Sequence, residues 1–190
     1  MAFYSGPQGA NVIAALVDRY FAPLGAGTPA GTATDAKIDI PRFDIADPQP
    51  CHQAHVLAGI RTPGLYSPER YAVALMANIA GGPGMNSLLN VELREKRGLV
   101  YNVEASTTFF RSAGYMGVYF GCDADDTDRC RHLCEGVFRR LTDGTFLTER
   151  RLRAAKKQYL GQLAVASENR ENSVINEEVS RIEKTYRTVI

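Results

Sequence analysis

The chain has 190 residues, enough for one large domain or two small ones, with a core that needs no disulfide or metal to stabilise it. Lysine and arginine number 22 and aspartate and glutamate 21, so the formal charge of +1 gives no general attraction to nucleic acid or to an anionic membrane. No apolar run reaches the roughly 18 residues of a membrane span. The four cysteines are too few for a disulfide scaffold.

The N-terminal part of the chain predicts one helix and a long connection. Residues 3–5 are typical of the end of a strand, and a helix follows them. Its apolar stripe comprises Ile13, Leu16, Val17, Tyr20 and Phe21. Residues 22–50 are rich in Ala, Gly, Thr and Pro, and residues 37–40 alternate like a short strand. Too little chain precedes this connection to form a core, so we expect residues 1–190 to form a single domain.

The middle of the chain predicts a strand followed by two helices. Residues 55–60 form a short apolar run, which predicts a buried strand. The Ser-Pro pair at 67–68 is typical of a helix start, because serine caps the first turn and proline fits its first position. A glycine-rich run at 81–84 ends this helix. A second helix is predicted from about Asn86 to Arg97, with Gly98 as its left-handed cap.

The second half of the chain predicts a hairpin and two further helices. Two strand patterns, Val100–Phe110 and Tyr115–Cys122, are joined by a short connection. Asp125 or Asp126 caps the next helix, and Thr148 caps a long final one. Because hairpins are mixed with helical crossovers, the pattern predicts an α+β domain with a mixed β-sheet covered by helices.

The histidines and cysteines form no recognisable metal motif, and the sequence contains no H-x-x-E-H. His52 and His55 lie near Cys51 without a second ligand cluster, so a polar surface role explains them better than a zinc site. Cys130 and Cys134 fall on the apolar stripe of a predicted helix, where cysteine behaves as a small hydrophobe. We therefore expect this chain to bind no metal.

Two other sequence features have simple structural explanations. Gly81, Gly82 and Gly84 lie between two helices, whereas a phosphate-binding loop follows a strand and carries a Lys-Ser/Thr pair, so a tight turn explains them. The basic cluster at 150–157 has no accompanying aromatic platform and is interpreted as a solvated helix face. A nucleic-acid-binding surface is the alternative, and it would show steeply salt-dependent affinity.

Arg94 and Tyr101 are the candidate functional residues. Arg94 lies in the last turn of a predicted helix and Tyr101 at the start of the next strand, with Gly98 reversing the chain between them. Guanidinium N–H groups and a phenol O–H suit peptide carbonyls and the oxyanion of a tetrahedral intermediate. Spacing alone favours a simpler interpretation, an arginine favoured by the helix dipole and a half-buried strand tyrosine.

A longer sequence pattern around Arg94 and Tyr101 favours the functional interpretation of these two residues. The run Gly81-Gly82-Pro83-Gly84-Met85-Asn86-Ser87-Leu88-Leu89-Asn90, followed by Arg94-Glu95-Lys96-Arg97-Gly98-Leu99-Val100-Tyr101, resembles the second-half signature of the pitrilysin/insulinase family of zinc peptidases. The strand ending at residues 119–123 and the helices after it fit the same pattern. In that family the second half binds no zinc, and an Arg and a Tyr seven residues apart hold the substrate backbone and assist the reacting carbonyl. Arg94 and Tyr101 match this pair.

The resemblance implies a function for the chain as part of a larger assembly. It implies the non-catalytic half of a zinc-dependent metalloendopeptidase, excised from a longer two-domain protein, which binds extended peptide and completes the active-site chamber. Zinc is expected in an H-x-x-E-H-bearing partner half on the same or a separate polypeptide, so this chain alone should be inactive. Peptide is the expected substrate, a homodimer is compatible, and no nucleic-acid partner is expected. The compartment, cytoplasm or periplasm of a bacterium, stays open. The alternative is a non-proteolytic scaffold or core subunit of the same fold.

Overall fold

The computed structural model describes Tyr4 and residues 6–24, 41–144 and 146–167. The chain divides into two compact units, residues 1–38 with 162–190, and residues 39–161. Apart from Tyr4, the strands predicted at 3–5 and 37–40 and the helical stretch beyond residue 167 lie outside the described residues. In the first unit, α1 spans Ala10–Phe21 and continues as one 3-10 turn, Ala22–Leu24. This is the predicted helix, and none of its residues is buried.

A three-stranded sheet lies at the centre of the second unit. Its strands are β1 (Gln53–Thr62), β2 (Val100–Phe109) and β3 (Gly114–Asp123), in the order β1-β3-β2. β2 and β3 form the predicted hairpin, closed by a hydrogen bond of 2.8 Å from the Phe110 N–H to the Ala113 carbonyl. The structure confirms the α+β class.

The pairing of the described strands differs from that of a mixed sheet. β1 and β2 run in the same direction because each is antiparallel to β3. However, β3 lies between them, so the two co-directional strands never pair, and every pairing among the described strands is antiparallel.

The helices of the second unit are α2 (Arg70–Gly81) and α3 (Thr127–Thr142), and α4 (Glu149–Ser167) begins in it. The predicted helix start at Ser67 and Pro68 is instead a turn, in which the Ser67 hydroxyl accepts the Glu69 N–H at 3.3 Å. α2 itself begins after this turn, at Arg70. Thr148 caps α4 as predicted, since its hydroxyl accepts the Arg151 N–H at 3.4 Å. Among the described helices, none combines the length and the apolar character needed to cross a bilayer.

The core packs between one face of the sheet and the helices. The largest fully buried side chains are Leu89, Leu93, Phe120, Cys122, Cys130 and Val137. Truncating a buried leucine such as Leu93 to alanine typically costs about 2–5 kcal/mol. The prediction that residues 55–60 form a buried strand is wrong as to burial: Leu57 is 75% and Ile60 57% exposed. β1 lies at the edge of the described sheet, and strand alternation places Leu57 on the face opposite the core residue Phe120.

Three of the four cysteines lie in the core. Cys122, Cys130 and Cys134 are buried, as predicted for the helical pair, whereas Cys51 is exposed. Burial raises the pKa of the Cys130 and Cys134 thiols to about 12. These thiols therefore stay protonated and unreactive in the folded chain.

We expect an aromatic disulfide reagent at mildly alkaline pH to modify one thiol per chain rapidly, because Cys51 is exposed and the other three cysteines are buried. All four should react after unfolding in guanidinium. Absorbance of the released thiolate measures both phases. Cys51→Ser should abolish the rapid phase, and a second rapid thiol in the native chain would contradict the buried cluster.

Candidate functional site

A π-helix carries Arg94. This element spans Asn90–Glu95 and occupies the middle of the predicted helix over 86–97. Its wide turn is recorded by the Lys96 N–H, which donates to the carbonyl of Val91, five residues earlier, at 3.0 Å. Gly98 follows with φ of 62°, the left-handed conformation predicted for it. Single π turns are rare and occur frequently at functional sites.

Glu92 forms ion pairs with residues that follow the π-helix and with α3. Its side chain is only 13% exposed, and its carboxylate accepts hydrogen bonds from Arg97 at 2.6 Å and Lys96 at 3.2 Å. Arg140 of α3 approaches the same carboxylate at 3.7 Å. Burial raises the pKa of Glu92, but the hydrogen bonds and charges of Arg97 and Lys96 outweigh burial and hold it below its ordinary value. Glu92 is therefore a charged link between the π-helix and α3.

Arg94 differs from these neighbouring cations. It is exposed, and no hydrogen bond or ion pair with another described residue occupies its guanidinium, whereas Lys96 and Arg97 are both engaged by Glu92. Arg94 lines a cavity of about 270 Å³ between the glycine turn and residues 102–105 of β2. Within the described residues, the guanidinium thus has no partner, and it lies beside the start of β2, a strand at the edge of the described sheet.

Tyr101 is placed by a β-bulge. Val100 pairs with Cys122 and Asn102 with Gly121, so Tyr101 is the extra residue between two ladder pairs. Its side chain is not half-buried, as the simpler interpretation requires, because the residue is 58% exposed.

The phenol of Tyr101 has one described partner. Its O–H donates to Asp123 Oδ1 at 2.8 Å, at the end of β3. This hydrogen bond and the charge of Asp123 raise the pKa of Tyr101. The phenol is protonated at neutral pH, as an ordinary tyrosine is. Arg94 and Tyr101 do not touch, but Arg94 lines the cavity with Asn102, the residue after Tyr101. Both side chains therefore lie at the same end of β2.

The glycine turn is explained by close packing. A Cβ on Gly81 would lie 2.6 Å from the backbone nitrogen of Ala105, so α2 ends directly against β2. A Cβ on Gly82 would lie 2.6 Å from the carbonyl oxygen of Asn78. Around Gly84 the nearest atoms are only the ends of flexible side chains. Gly81 is therefore required where α2 meets the β2 backbone, and Gly82 where the chain leaves α2 beside Asn78.

The other sequence candidates are not assembled into a site. His55 Nδ1 lies 2.7 Å from the Tyr119 hydroxyl on the sheet face opposite the core. Within the described ranges, no three His, Cys, Asp or Glu side chains are grouped to hold a metal ion. These residues do not fit a zinc ion. In the basic cluster, Arg153 pairs with Glu149 at 3.1 Å, and the Arg151 guanidinium lies over the Phe146 ring at 4.4 Å.

The sequence did not indicate Glu92 or Asp123. A signal for Glu92 was present, because Glu92 and Lys96 are four residues apart on one helical face. No local signal linked Asp123 to Tyr101, because 22 residues separate them in the chain and only strand pairing brings them together.

Residues 2–159 match the family model for the peptidase M16 inactive domain, more than half of the chain. The chain belongs to this family. The match confirms the resemblance to the pitrilysin/insulinase peptidases, and the homologous proteins are zinc proteases.

Individual relatives agree with this assignment. The chain is 41% identical over 70 residues to an uncharacterized zinc protease of Mycobacterium leprae, an alignment covering 37% of this chain and 16% of that protein. A crystal structure of a peptidase M16 inactive domain from Pseudomonas fluorescens superposes with a TM-score of 0.57 at 27% identity, covering 68% of this chain and 30% of the other. A chain of complex III2 from Candida albicans shares the fold, with a TM-score of 0.58 at 20% identity, covering 68% of this chain and 32% of the other. The chain thus matches only a minor part of these proteins' length.

Substitution of Gly81 should destabilise the fold. We expect Gly81→Ala to lower the free energy of unfolding by about 1–3 kcal/mol, because the added Cβ would overlap the β2 backbone. Gly136→Ala in α3 is the control: its Cβ meets nothing within 4 Å, so it should raise the free energy by about 0.5–1 kcal/mol. Urea unfolding followed by circular dichroism measures both, and equal effects would contradict the close approach.

Glu92 should make the fold sensitive to acid. Its folded pKa lies below the unfolded value of about 4.3, so its stabilisation is complete above that pH and is lost as the pH falls through the folded pKa. We expect Glu92→Gln to lower the free energy of unfolding at neutral pH by about 1–3 kcal/mol.

The difference from the wild-type chain should narrow below about pH 4, as urea unfolding across the pH range would show. Glu95→Gln, an exposed position on the same helix, should change stability by less than about 0.5 kcal/mol. A Glu92→Gln deficit that is the same at pH 3 and pH 7 would rule out the charged link.

Proposed function

We propose that this chain is the non-catalytic half of a zinc-dependent metalloendopeptidase, which binds extended peptide and completes the active-site chamber. The observation that carries the proposal is a pair of side chains near the start of β2. These are the Arg94 guanidinium, which no described residue engages, and the exposed Tyr101 phenol. Membership of the inactive-domain family supports it. That residues 1–190 form one domain of a longer two-domain protein remains part of this proposal.

The geometry suggests how peptide would be bound. Among the described strands, β2 pairs only with β3, so its other edge offers backbone N–H and C=O groups to an added strand. Backbone pairing is largely independent of side-chain sequence, which suits a protein that accepts extended peptide. Arg94, beside residues 102–105, would anchor a peptide carbonyl.

Tyr101 would act at the reacting carbonyl. Its phenol carries one donatable proton, which a tyrosine keeps at neutral pH. A donor aimed at the developing oxyanion stabilises the transition state more than the ground state. The zinc that activates water would belong to the partner half, because the described residues of this chain do not fit a zinc ion.

A scaffold role is the second candidate. The same fold occurs in a chain of complex III2. Under this alternative Arg94 and Tyr101 would merely hold the corner between the π-helix and β2. Stable assembly with partner proteins, without activation of any peptidase, would favour it.

The proposal predicts a defect in turnover. In the assembled enzyme, Tyr101→Phe should lower kcat by about 100-fold with a smaller change in KM, because one oxyanion donor is lost. Steady-state hydrolysis of a fluorogenic peptide measures both constants. Tyr115→Phe, an exposed tyrosine at the opposite end of the hairpin, is the matched control and should retain wild-type kinetics.

The isolated chain provides a further control and should hydrolyse no peptide. Hydrolysis by the purified chain would refute the non-catalytic role. An unchanged kcat for Tyr101→Phe would exclude the proposed role of the phenol.

A further inference from the structure

Asp123 makes a contact that its position in the chain does not explain. It precedes the short 3-10 turn Ala124–Asp126 that leads into α3, and its backbone, φ −66° and ψ 146°, is that of an N-cap residue. An aspartate at this position usually accepts a backbone N–H of the following turn, which contributes about 1 kcal/mol. The Asp123 side chain makes no such bond. Its Oδ1 accepts the Tyr101 O–H instead, at 2.8 Å.

The β-bulge makes this contact possible. In a regular antiparallel ladder the residue after Val100 would pair with the residue before Cys122. Here Asn102 takes that place opposite Gly121, and Tyr101 is the extra residue beside the last ladder pair. Asp123 is the next residue beyond the same pair. The β-bulge at Tyr101 and the absence of a side-chain cap at Asp123 thus allow one hydrogen bond between two exposed side chains.

We propose that Asp123 is a positioning residue for Tyr101, holding the phenol in the place from which it donates to the peptide carbonyl. This inference rests on the proposed function. A phenol has one O–H, so it cannot donate to Asp123 and to a carbonyl together. When the carbonyl arrives, the O–H leaves Asp123 and donates to the carbonyl. The exposed Asp123 carboxylate turns to water, so that two oxygen atoms do not face each other without a proton between them. Restricting the ring beforehand lowers the entropy lost in reaching the reactive geometry.

The charges around the phenol support this arrangement. The hydrogen bond to Asp123 is the main cause of the raised pKa of Tyr101, followed by the charge of that carboxylate, with burial and the Cys122 thiol adding to them. A neutral amide in place of the carboxylate would keep the shape but remove the charge. Replacement of Asp123 by asparagine therefore distinguishes the effect of the carboxylate charge on Tyr101 from the effect of side-chain shape.

The first experiment is independent of peptidase activity. In the 190-residue chain carrying ring-labelled tyrosine, NMR follows the ionisation of Tyr101, with Tyr101→Phe identifying its signal. We expect Asp123→Asn to lower the pKa of Tyr101 towards its ordinary value, and Asp125→Asn, an exposed acid two residues on, to leave it unchanged. Indistinguishable titrations in the two variants would overturn the inference. A thermal melt confirms that each variant is folded.

The second experiment tests the consequence for turnover. In the assembled enzyme, Asp123→Ala should lower kcat by roughly 10- to 100-fold, the effect of a misplaced catalytic group, with little change in KM. In a Tyr101→Phe background the same substitution should cause no further loss, because its effect passes through the phenol.

The outcomes separate this inference from the proposed function. An equal loss of kcat in both backgrounds would show that Asp123 acts on the fold, and would overturn the positioning role. If Tyr101→Phe alone leaves kcat unchanged, the proposed function of Tyr101 fails and the catalytic part of this inference fails with it. The NMR titration then still decides whether Asp123 holds the phenol.

Discussion

The direct contact between the end of α2 and the backbone of β2 is the constraint on which the candidate site depends. Gly81 has no side chain, so its Cα approaches the Ala105 nitrogen more closely than any other residue would allow. This approach brings the glycine turn against the backbone of β2, and the cavity lined by Arg94 lies beside them. The same strand then carries Tyr101 at its start. A larger residue at position 81 would displace the helix end, and with it the wall of the cavity opposite β2.

Charge is distributed unequally around this site. Glu92 engages Lys96 and Arg97 next to the π-helix, and its contact with Arg140 links the π-helix to α3. The Glu92 side chain is largely buried while its partners lie at the surface. These ion pairs therefore contribute more to the free energy of unfolding than fully exposed ion pairs do. Arg94, on the same helix, is not drawn into them. Among the described residues, Glu92 engages the neighbouring cations and the Arg94 guanidinium has no partner, as the proposed substrate-binding role of Arg94 requires.

Family membership and the site geometry support each other at different levels. The match to the peptidase M16 inactive domain covers residues 2–159 and accounts for the absence of an H-x-x-E-H motif in this chain. It does not by itself assign roles to individual side chains, because a fold can carry different functions. Those roles rest on the availability of Arg94 and on the protonated phenol of Tyr101. The aligned part amounts to 16% of the Mycobacterium leprae relative, so the activity of a whole enzyme is inferred for an assembly larger than this chain.

The sequence by itself determined the order of most described elements, because each depends on local patterns: the hairpin of β2 and β3, the left-handed Gly98 and the buried stripe of Cys130 and Cys134. It also placed Arg94 and Tyr101 on either side of one turn. Only the tertiary structure decided that β3 separates β1 from β2, which makes the described pairings antiparallel, and that β1 is largely exposed. It likewise decided that Glu92 reaches Arg140 and that Asp123 reaches Tyr101. These contacts join residues far apart in the chain, so no local sequence pattern predicts them. A β-bulge and strand pairing bring Tyr101 to Asp123, and the packing of the π-helix beside α3 brings Glu92 to Arg140.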